Sequence, residues 1–322
     1  MDIIKTLADE FKIKTGQVEN TVKLIDEGNT IPFIARYRKE MTGSLDDVIL
    51  RELNDRLNYL RNLDEKREQV RNLIAEQEKL TDEINAALDK AVTVTEIDDI
   101  YRPFRPKRRT RATIAKEKGL EPFANEIMMQ LTKEAVEKIA EKYIDAEKEV
   151  NTIEDAIEGA KDIIAEMVSD DADYRALIRR LTFNEGLIVT KATDEEAESV
   201  YEMYYDYSEP VKKIPGHRVL AINRGEKEKV LNVRLEAPTQ NILKAVENKI
   251  IRDNKYTENV LKEAIEDSYK RLIAPAVERE IRNDITEKAE ESAIKVFGEN
   301  LKQLLLQPPI KDKVVLALDP GY

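Results

Sequence analysis

The chain contains no cysteine and no tryptophan, and it has one histidine among 322 residues. Without cysteine there is no disulfide, no thiolate nucleophile and no sulfur ligand for a metal. A single histidine, His217, cannot build a two-histidine zinc motif. We therefore interpret His217 as a hydrogen-bonded structural residue rather than a catalytic one. Glycine is also scarce: the 10 glycines lie at least nine residues apart. This spacing excludes both a P-loop and a GxGxxG turn, whose glycines stand closer together.

Long hydrophobic runs are missing as well. No stretch approaches the roughly 18 apolar residues of a membrane span, and the N-terminus, MDIIKTLADEF, mixes acids into its apolar residues, unlike a signal peptide. We predict a cytoplasmic protein with no membrane partner. The acidic residues Asp170, Asp171 and Asp173 resemble the start of a calcium loop, but Ala176 and Thr182 replace the required glycine and final acid. We interpret these acids as a helix cap, and we predict neither a metal nor a cofactor.

A segment without acidic residues stands out because the chain as a whole carries a net charge of -12. This basic segment, residues 102–111, reads RPFRPKRRTR. Its prolines favour a loop over a helix. Tyr101 and Phe104 add flat faces, and cations beside aromatic rings suit phosphate and base contacts. Its candidate nucleic-acid-binding residues are Arg102, Arg105, Lys107, Arg108, Arg109 and Arg111.

Two alternatives to nucleic-acid binding stay open for these cations. The basic segment contains enough charge to form ion pairs with nearby carboxylates, for which Glu96, Asp98 and Asp99 are the candidates. A second basic group, Arg36, Arg38 and Lys39, either extends the nucleic-acid-binding surface or pairs with Glu40 and other acids. The tyrosines at 201, 204, 205 and 207 are interpreted as a packed helix end rather than as a base-stacking surface.

The distribution of apolar residues predicts a mainly α-helical fold. Leucine, isoleucine and valine recur at steps of three or four from about Ser44 to Gln77, which predicts one long helix. Thr193 and Glu196 form a capping-box pattern for a helix through about Tyr204. Alternation around Val219 predicts a β-hairpin with a turn at 224–226. The run 314–318 predicts a buried strand, and because one strand needs a sheet, we expect the chain to be a fragment of a longer protein.

Several motifs, taken together and in order, resemble the Tex family of bacterial transcription accessory proteins. They are GNTIPFIARYRKEMTG from Gly28 and LNYLRNL from Leu57, then IYRPFRPKRRTRATIAKEKGLEP from Ile100, IPGHRVLAINRGEKEKVL from Ile214 and the terminal LALDPGY. The resemblance implies an elongated multi-helix scaffold with an N-terminal helix-turn-helix-like element. It also implies three domains: 1–182, a Tex-like N-terminal helical region; 183–307, a central region with the β-hairpin and long helices; and 308–322, a linker and the first strand of a truncated RNase H-like domain.

The resemblance further implies a function without catalysis. The leading hypothesis is a nucleic-acid-binding transcription accessory factor, represented here by its helical scaffold, with the basic segment contacting the phosphates of RNA or DNA. One alternative is a protein-interaction scaffold that docks RNA polymerase or ribosome-associated proteins. Another is part of a metal-dependent nuclease, in which Asp319 corresponds to the first acid of an RNase H-like site and the other acids are missing. We expect a non-enzymatic monomer.

Overall fold

The mainly α-helical fold is confirmed by the structure, a computed structural model that describes residues 2–308, 311 and 313–318. The chain divides into two compact units. Unit 1 contains the described residues up to Ile114 together with Asp170–Ala176; unit 2 contains Ala115–Ser169 and the described residues from Leu177 onwards. The domain limits predicted from the sequence stay predictions.

Unit 1 is helical throughout its regular structure. Its helices are α1 (Ile3–Phe11), α2 (Thr15–Asp26), α3 (Ile31–Tyr37), α4 (Lys39–Thr42), α5 (Asp47–Ala75), α6 (Asp82–Lys90), α7 (Val94–Tyr101) and the start of α8 (Arg111–Glu117). Residues 27–30, which include Gly28 at a φ of 82°, connect α2 to α3. Short turns containing glycine join the two helices of helix-turn-helix motifs, and the predicted helix-turn-helix-like element stays a prediction.

The long helix predicted from the sequence is α5, which has 29 residues. Asp46 caps it, accepting a hydrogen bond of 2.8 Å from the Ile49 amide. Its buried side chains follow the predicted steps of three and four: Leu50, Leu53, Leu57, Leu60, Leu63, Arg67, Val70 and Ile74. Helix α3 packs near the first of these, α1 and α2 pack on the middle ones, and α6 and α7 pack on the last. All of unit 1 is therefore organised along one helix.

One member of this buried row is charged. Arg67 is only 2% exposed. Its Nε donates to the Leu88 carbonyl at 2.8 Å, its Nη2 donates to the Ala91 carbonyl at 2.9 Å, and its Nη1 lies 2.5 Å from an Asp64 oxygen. These carbonyls belong to the end of α6, where helices leave acceptors without intrahelical partners. Arg67 thus satisfies the end of α6 and fixes it to α5.

Unit 2 combines helices with one small sheet. Its helices are α9 (Glu121–Met129), α10 (Val136–Ala140), most of α11 (Ile153–Asp170), most of α12 (Ala172–Glu185), α13 (Gly216–Lys227), α14 (Thr239–Ile250), α15 (Glu258–Asp267) and α16 (Ala274–Leu305). Its strands are β1 (Leu187–Ala192), β2 (Asp206–Pro210) and β3 (Leu231–Glu236). The sheet order is β2-β1-β3, with both pairs antiparallel; Leu187 lies opposite Pro210 on one side and Glu236 on the other.

The predicted β-hairpin around Val219 is wrong. Residues 216–227 form α13, and only the second half of the proposed hairpin is a strand, β3. Val219, Ile222 and Gly225 are the buried positions, and their spacing of three is helical. The alternation that we interpreted as a strand was too short to separate the two periods. β3 pairs instead with β1, far earlier in the chain.

The helix predicted from Thr193 to Tyr204 is wrong too. The Thr193 amide bonds to the Val230 carbonyl at 2.8 Å, and the Asp194 side chain accepts from the Glu196 amide at 3.0 Å. These bonds replace the expected capping box with a local turn. Tyr201 and Tyr204 are each 5% exposed, so the interpretation that they pack is confirmed for these two.

The long C-terminal helical region is continuous from Glu258 to Leu305, but it is not uniform. Residues 268–273 form a π-helical turn between α15 and α16. Pro275 lies in the first turn of α16, directly after the π-helical turn, and it has no N–H to donate to the preceding turn of this continuous helix. The π-helical turn therefore lies where a proline interrupts the backbone hydrogen bonding of the helix.

The strand predicted at 314–318 is not formed in the part of this segment that the structure describes. Residues 313–318 have no regular secondary structure, and Val314, Leu316 and Leu318 are fully or largely exposed. Asp319, which we matched to an RNase H-like site, lies outside the described residues. Among the helices of the described ranges, none combines the length and apolar character needed to cross a bilayer.

The buried position of Arg67 makes a prediction about stability. We expect Arg67→Met to lower the free energy of unfolding by about 2–4 kcal/mol, because it leaves two buried carbonyls without donors. Arg51→Met is the control: Arg51 lies on the same helix and forms an exposed ion pair of 3.4 Å with Asp47, worth at most about 1 kcal/mol. Urea unfolding followed by far-ultraviolet circular dichroism measures both. Equal losses in the two variants would contradict a special role for Arg67.

Candidate nucleic-acid interface

The basic segment follows directly from α7. Its first three residues, Arg102–Phe104, form a 3₁₀ turn, and the Arg105 amide bonds back to the Tyr101 carbonyl at 3.1 Å. Gln77, just beyond α5, donates to the Phe104 carbonyl at 2.9 Å. At the other end Thr110 caps α8, because its hydroxyl accepts from the Thr113 amide at 3.0 Å. Residues 105–110 therefore form a loop held at both ends.

One acid at the end of α11 neutralises part of this loop. Asp170 lies 3.6 Å from the Nε of Arg102 and also pairs with Lys107. Its side chain is only 14% exposed. Asp98, one of the predicted partners, is 3.9 Å from Arg105. Asp170 was not among the predicted partners, because it lies far from the basic segment along the chain and we interpreted it as part of a helix cap.

The other predicted partners serve different purposes. Glu96 accepts hydrogen bonds from the amides of Val92 and Thr93 at the start of α7. Asp99 is buried, and its carboxylate lies 2.5 Å from the Nε of Arg175. The helix cap at 169–171 is formed by Asp171, which accepts from the Tyr174 amide at 3.0 Å. Local sequence proximity was thus a poor guide to ion pairing here.

Three cations of the basic segment point to solvent. Arg108, Arg109 and Arg111 are exposed. Arg108 and Arg111 have no hydrogen bond or ion pair with any residue in the described ranges. The loop therefore keeps net positive charge even after Asp170 and Asp98 are counted, and exposed guanidinium groups are suited to phosphate oxygens.

The aromatic rings that we expected to stack on bases are not available here. Tyr101 is 8% exposed and packs in the core with Leu63, Val70 and Ile74. Phe104 is half-buried against the same cluster. A base cannot reach a ring face that the core covers. The basic segment presents charge without stacking surfaces, which suits contact with a phosphate backbone.

The second basic group lies elsewhere in unit 1. Arg36, Arg38 and Lys39 are exposed on α3 and α4, beside the cluster around Leu50 at the start of α5. The basic segment adjoins the cluster at the other end of α5. Because the 29 residues of α5 span roughly 43 Å, the two groups do not form one continuous surface.

The described side chains give little support to a metal site or to a role for the single histidine. Within the described ranges no three His, Asp or Glu side chains are placed to hold a metal ion. His217 is exposed in the first turn of α13 and makes no hydrogen bond with a described residue, so the hydrogen-bonded role that we predicted for it is wrong. The nearby Glu209 has a lowered pKa; desolvation opposes this direction, but hydrogen bonds from Tyr207 and Arg218 outweigh it.

Comparison with known proteins links the chain to one family. The model of the Tex-like protein N-terminal domain matches residues 1–75, and the Tex central region-like model matches residues 111–297. The basic segment falls between the first match and the second, except for Arg111.

Longer relatives match the chain along almost its whole length. The uncharacterized protein YdcI of Bacillus subtilis is 49% identical over 98% of the chain and 44% of its own length. The transcriptional accessory protein Tex of Neisseria gonorrhoeae is 37% identical over 100% of the chain and 43% of its own. The human S1 RNA-binding domain-containing protein 1 is 30% identical, also over 100% of the chain but 34% of its own. The chain thus spans less than half the length of these relatives, and it belongs to the Tex family.

Proposed function

We propose that this chain is the helical part of a nucleic-acid-binding transcription accessory factor, and that the basic segment contacts the phosphate backbone of RNA or DNA. The observation that carries the proposal is the loop at 105–110. It is held at both ends, it carries the exposed Arg108, which like Arg111 beside it pairs with no described residue, and it lies in a chain of opposite overall charge. The names of two relatives, a transcriptional accessory protein and an S1 RNA-binding protein, are consistent with it.

The proposed role is binding without catalysis. The candidate residues of the basic segment are arginines and one lysine, which contact phosphate oxygens through charge and hydrogen bonds. Positively charged loops that carry no stacking rings bind nucleic acid through counterion release, with little sequence preference. The cytoplasmic location, the monomeric state and the absence of enzymatic activity stay predictions.

A protein-docking role is the second candidate, and one observation favours it. On α16 the apolar side chains of Ile294, Phe297, Leu301 and Leu304 recur at steps of three and four, and they are 71%, 67%, 42% and 60% exposed. Such a stripe is typical of a helix face that contacts another protein element. Pull-down of RNA polymerase or ribosomal proteins that survives nuclease treatment, and that Phe297→Glu abolishes, would support this candidate.

Removing the cations of the basic segment tests the main proposal. We expect replacement of five of them by glutamine to weaken binding to short RNA and DNA by about tenfold or more at low salt, because the released counterions supply most of the affinity. The five are Arg105, Lys107, Arg108, Arg109 and Arg111. Fluorescence anisotropy against single-stranded RNA, single-stranded DNA and duplex DNA measures the change.

A charge-matched variant controls for the lower net charge. It replaces five exposed lysines of unit 2 by glutamine: Lys133, Lys138, Lys142, Lys244 and Lys249. The control is expected to bind almost as tightly as the unaltered chain. Equal weakening in both variants would mean that net charge matters and that the basic segment is not a site.

Removing the negative charge of Asp170 is predicted to strengthen nucleic-acid binding. Asp170→Asn removes the carboxylate that pairs with Arg102 and Lys107, so we expect binding to tighten about two- to fivefold and the slope of log K against log salt to become steeper by up to about one. Asp173→Asn, an exposed change three residues away, makes the same difference in net charge. Weaker binding by Asp170→Asn alone would show that the ion pair orders the loop for binding instead.

A further inference from the structure

We propose that the α3–α4 surface, formed by Phe33, Arg36, Tyr37, Arg38, Lys39 and Met41, is a separate site that binds single-stranded nucleic acid by stacking its bases. The inference deepens the proposed function and rests on it: the chain is taken to be a nucleic-acid-binding protein, and this surface supplies the base contacts that the basic segment lacks.

Aromatic and apolar side chains on this surface are turned outward. Phe33 is 37% exposed, Tyr37 is 60% exposed and Met41 is 42% exposed. The rings of Phe33 and Tyr37 lie 5.2 Å apart, centroid to centroid, at 48°. Exposed rings of this kind cost free energy in water, and on proteins they commonly mark binding surfaces. Tyr101 and Phe104, in contrast, pack into the core of unit 1.

The cations around these rings pair with no acid among the described residues. Arg36 and Lys39 form no ion pair with any residue in the described ranges, and the predicted pairing with Glu40 is not seen there. The Arg38 guanidinium lies 5.3 Å from the centroid of Phe33 and 3.4 Å from the Tyr37 carbonyl, and no carboxylate of a described residue pairs with it. The surface therefore offers three positive charges within one turn of two exposed rings.

The backbone beneath this surface is held in place before any ligand binds. Gln17 of α2 donates to the carbonyls of Thr42 and Gly43 at 3.0 and 3.3 Å, and Asn20 donates to the Met41 carbonyl at 2.9 Å. Ile34 anchors α3 in the core, with none of its surface exposed. A preorganised surface loses little conformational entropy on binding.

Single-stranded nucleic acid matches the exposed rings and cations of the α3–α4 surface better than duplex DNA or an acidic protein surface does. Duplex DNA hides its base faces within the helix, so it offers phosphates but nothing for the rings to stack on. An acidic protein surface would satisfy the cations but supplies no regular array of flat faces. Single-stranded RNA or DNA offers both at once, with a phosphate and an exposed base at each nucleotide.

The absence of tryptophan from the chain makes a direct test possible. Tyr37→Trp introduces a single indole at the proposed stacking position. We expect its fluorescence to be quenched by short oligouridylate and oligothymidylate, because the indole stacks on a base, and not by an abasic deoxyribose-phosphate strand of equal length. Val92→Trp, at another site of unit 1 that is 66% exposed, is the control and should respond to none of them.

Affinity measurements complete the test. Tyr37→Ala should weaken binding to the single strands about 5- to 150-fold, the range for losing one stacked base, and should leave duplex binding unchanged; Tyr37→Phe should bind as the unaltered chain does. Absence of quenching in Tyr37→Trp, or its quenching by polyglutamate rather than by the oligonucleotides, would overturn the inference, and the second result would identify an acidic protein as the partner.

The outcomes also separate this inference from the proposed function. If the glutamine variant of the basic segment loses binding to all three nucleic acids and Tyr37→Trp shows no quenching, the proposed function stands and the α3–α4 site is rejected. If quenching persists in the glutamine variant with affinity for single strands intact, the α3–α4 site stands and the role of the basic segment is rejected. Absence of binding to any nucleic acid at low salt would overturn both.

Discussion

Unit 1 depends on the hydrogen bonding of a buried arginine. Taking the guanidinium of Arg67 out of water is costly unless its donors are satisfied, and the end of α6 supplies two carbonyls for it while Asp64 supplies the charge. The chain must therefore leave α6 at a fixed place against α5. Helix α7 begins shortly afterwards, and the buried pair of Asp99 and Arg175 fixes it to the start of α12. The position of the basic segment follows from these two buried arginines.

The extent of ion pairing with carboxylates distinguishes the two cationic surfaces, which are the basic segment and the α3–α4 surface. Acids outnumber bases, 65 to 53, and some exposed cations pair with a carboxylate; Arg56 with Glu10 and Arg61 with Asp26 are bidentate examples that lower the pKa values of both acids. The basic segment is partly neutralised by Asp170, whereas the α3–α4 surface is not neutralised within the described ranges. Charge alone thus characterises the first, and charge together with exposed rings characterises the second.

Much of the fold was readable in the sequence where one physical effect dominated. The three-and-four spacing along α5 predicted its buried face, and Thr81, a residue type that commonly caps helices, accepts a hydrogen bond of 3.3 Å from the Ile84 amide at the start of α6. The prediction failed where local patterns were short. The apolar residues from Val219 to Gly225 fit both the two-residue period of a strand and the 3.6-residue period of a helix, and only packing on the rest of unit 2 selects the helix. For the candidate site, the basic residues were identifiable, but Asp170 and the burial of Tyr101 depend on contacts distant in sequence. Which rings face solvent is a tertiary property that composition does not encode.

The π-helical turn at 268–273 affects how one continuous helix keeps a row of side chains buried. Leu261, Ile265, Tyr269, Ile273, Val277 and Ile281 are spaced by four, and each is at most 4% exposed. In a regular α-helix such a row winds about 40° per step, or roughly 200° from first to last. A turn that accommodates one extra residue takes back about 100° of that winding. The π-helical turn therefore absorbs one extra residue, and the same residues in regular α-helical geometry would rotate α16 by about 100° about its axis relative to α15.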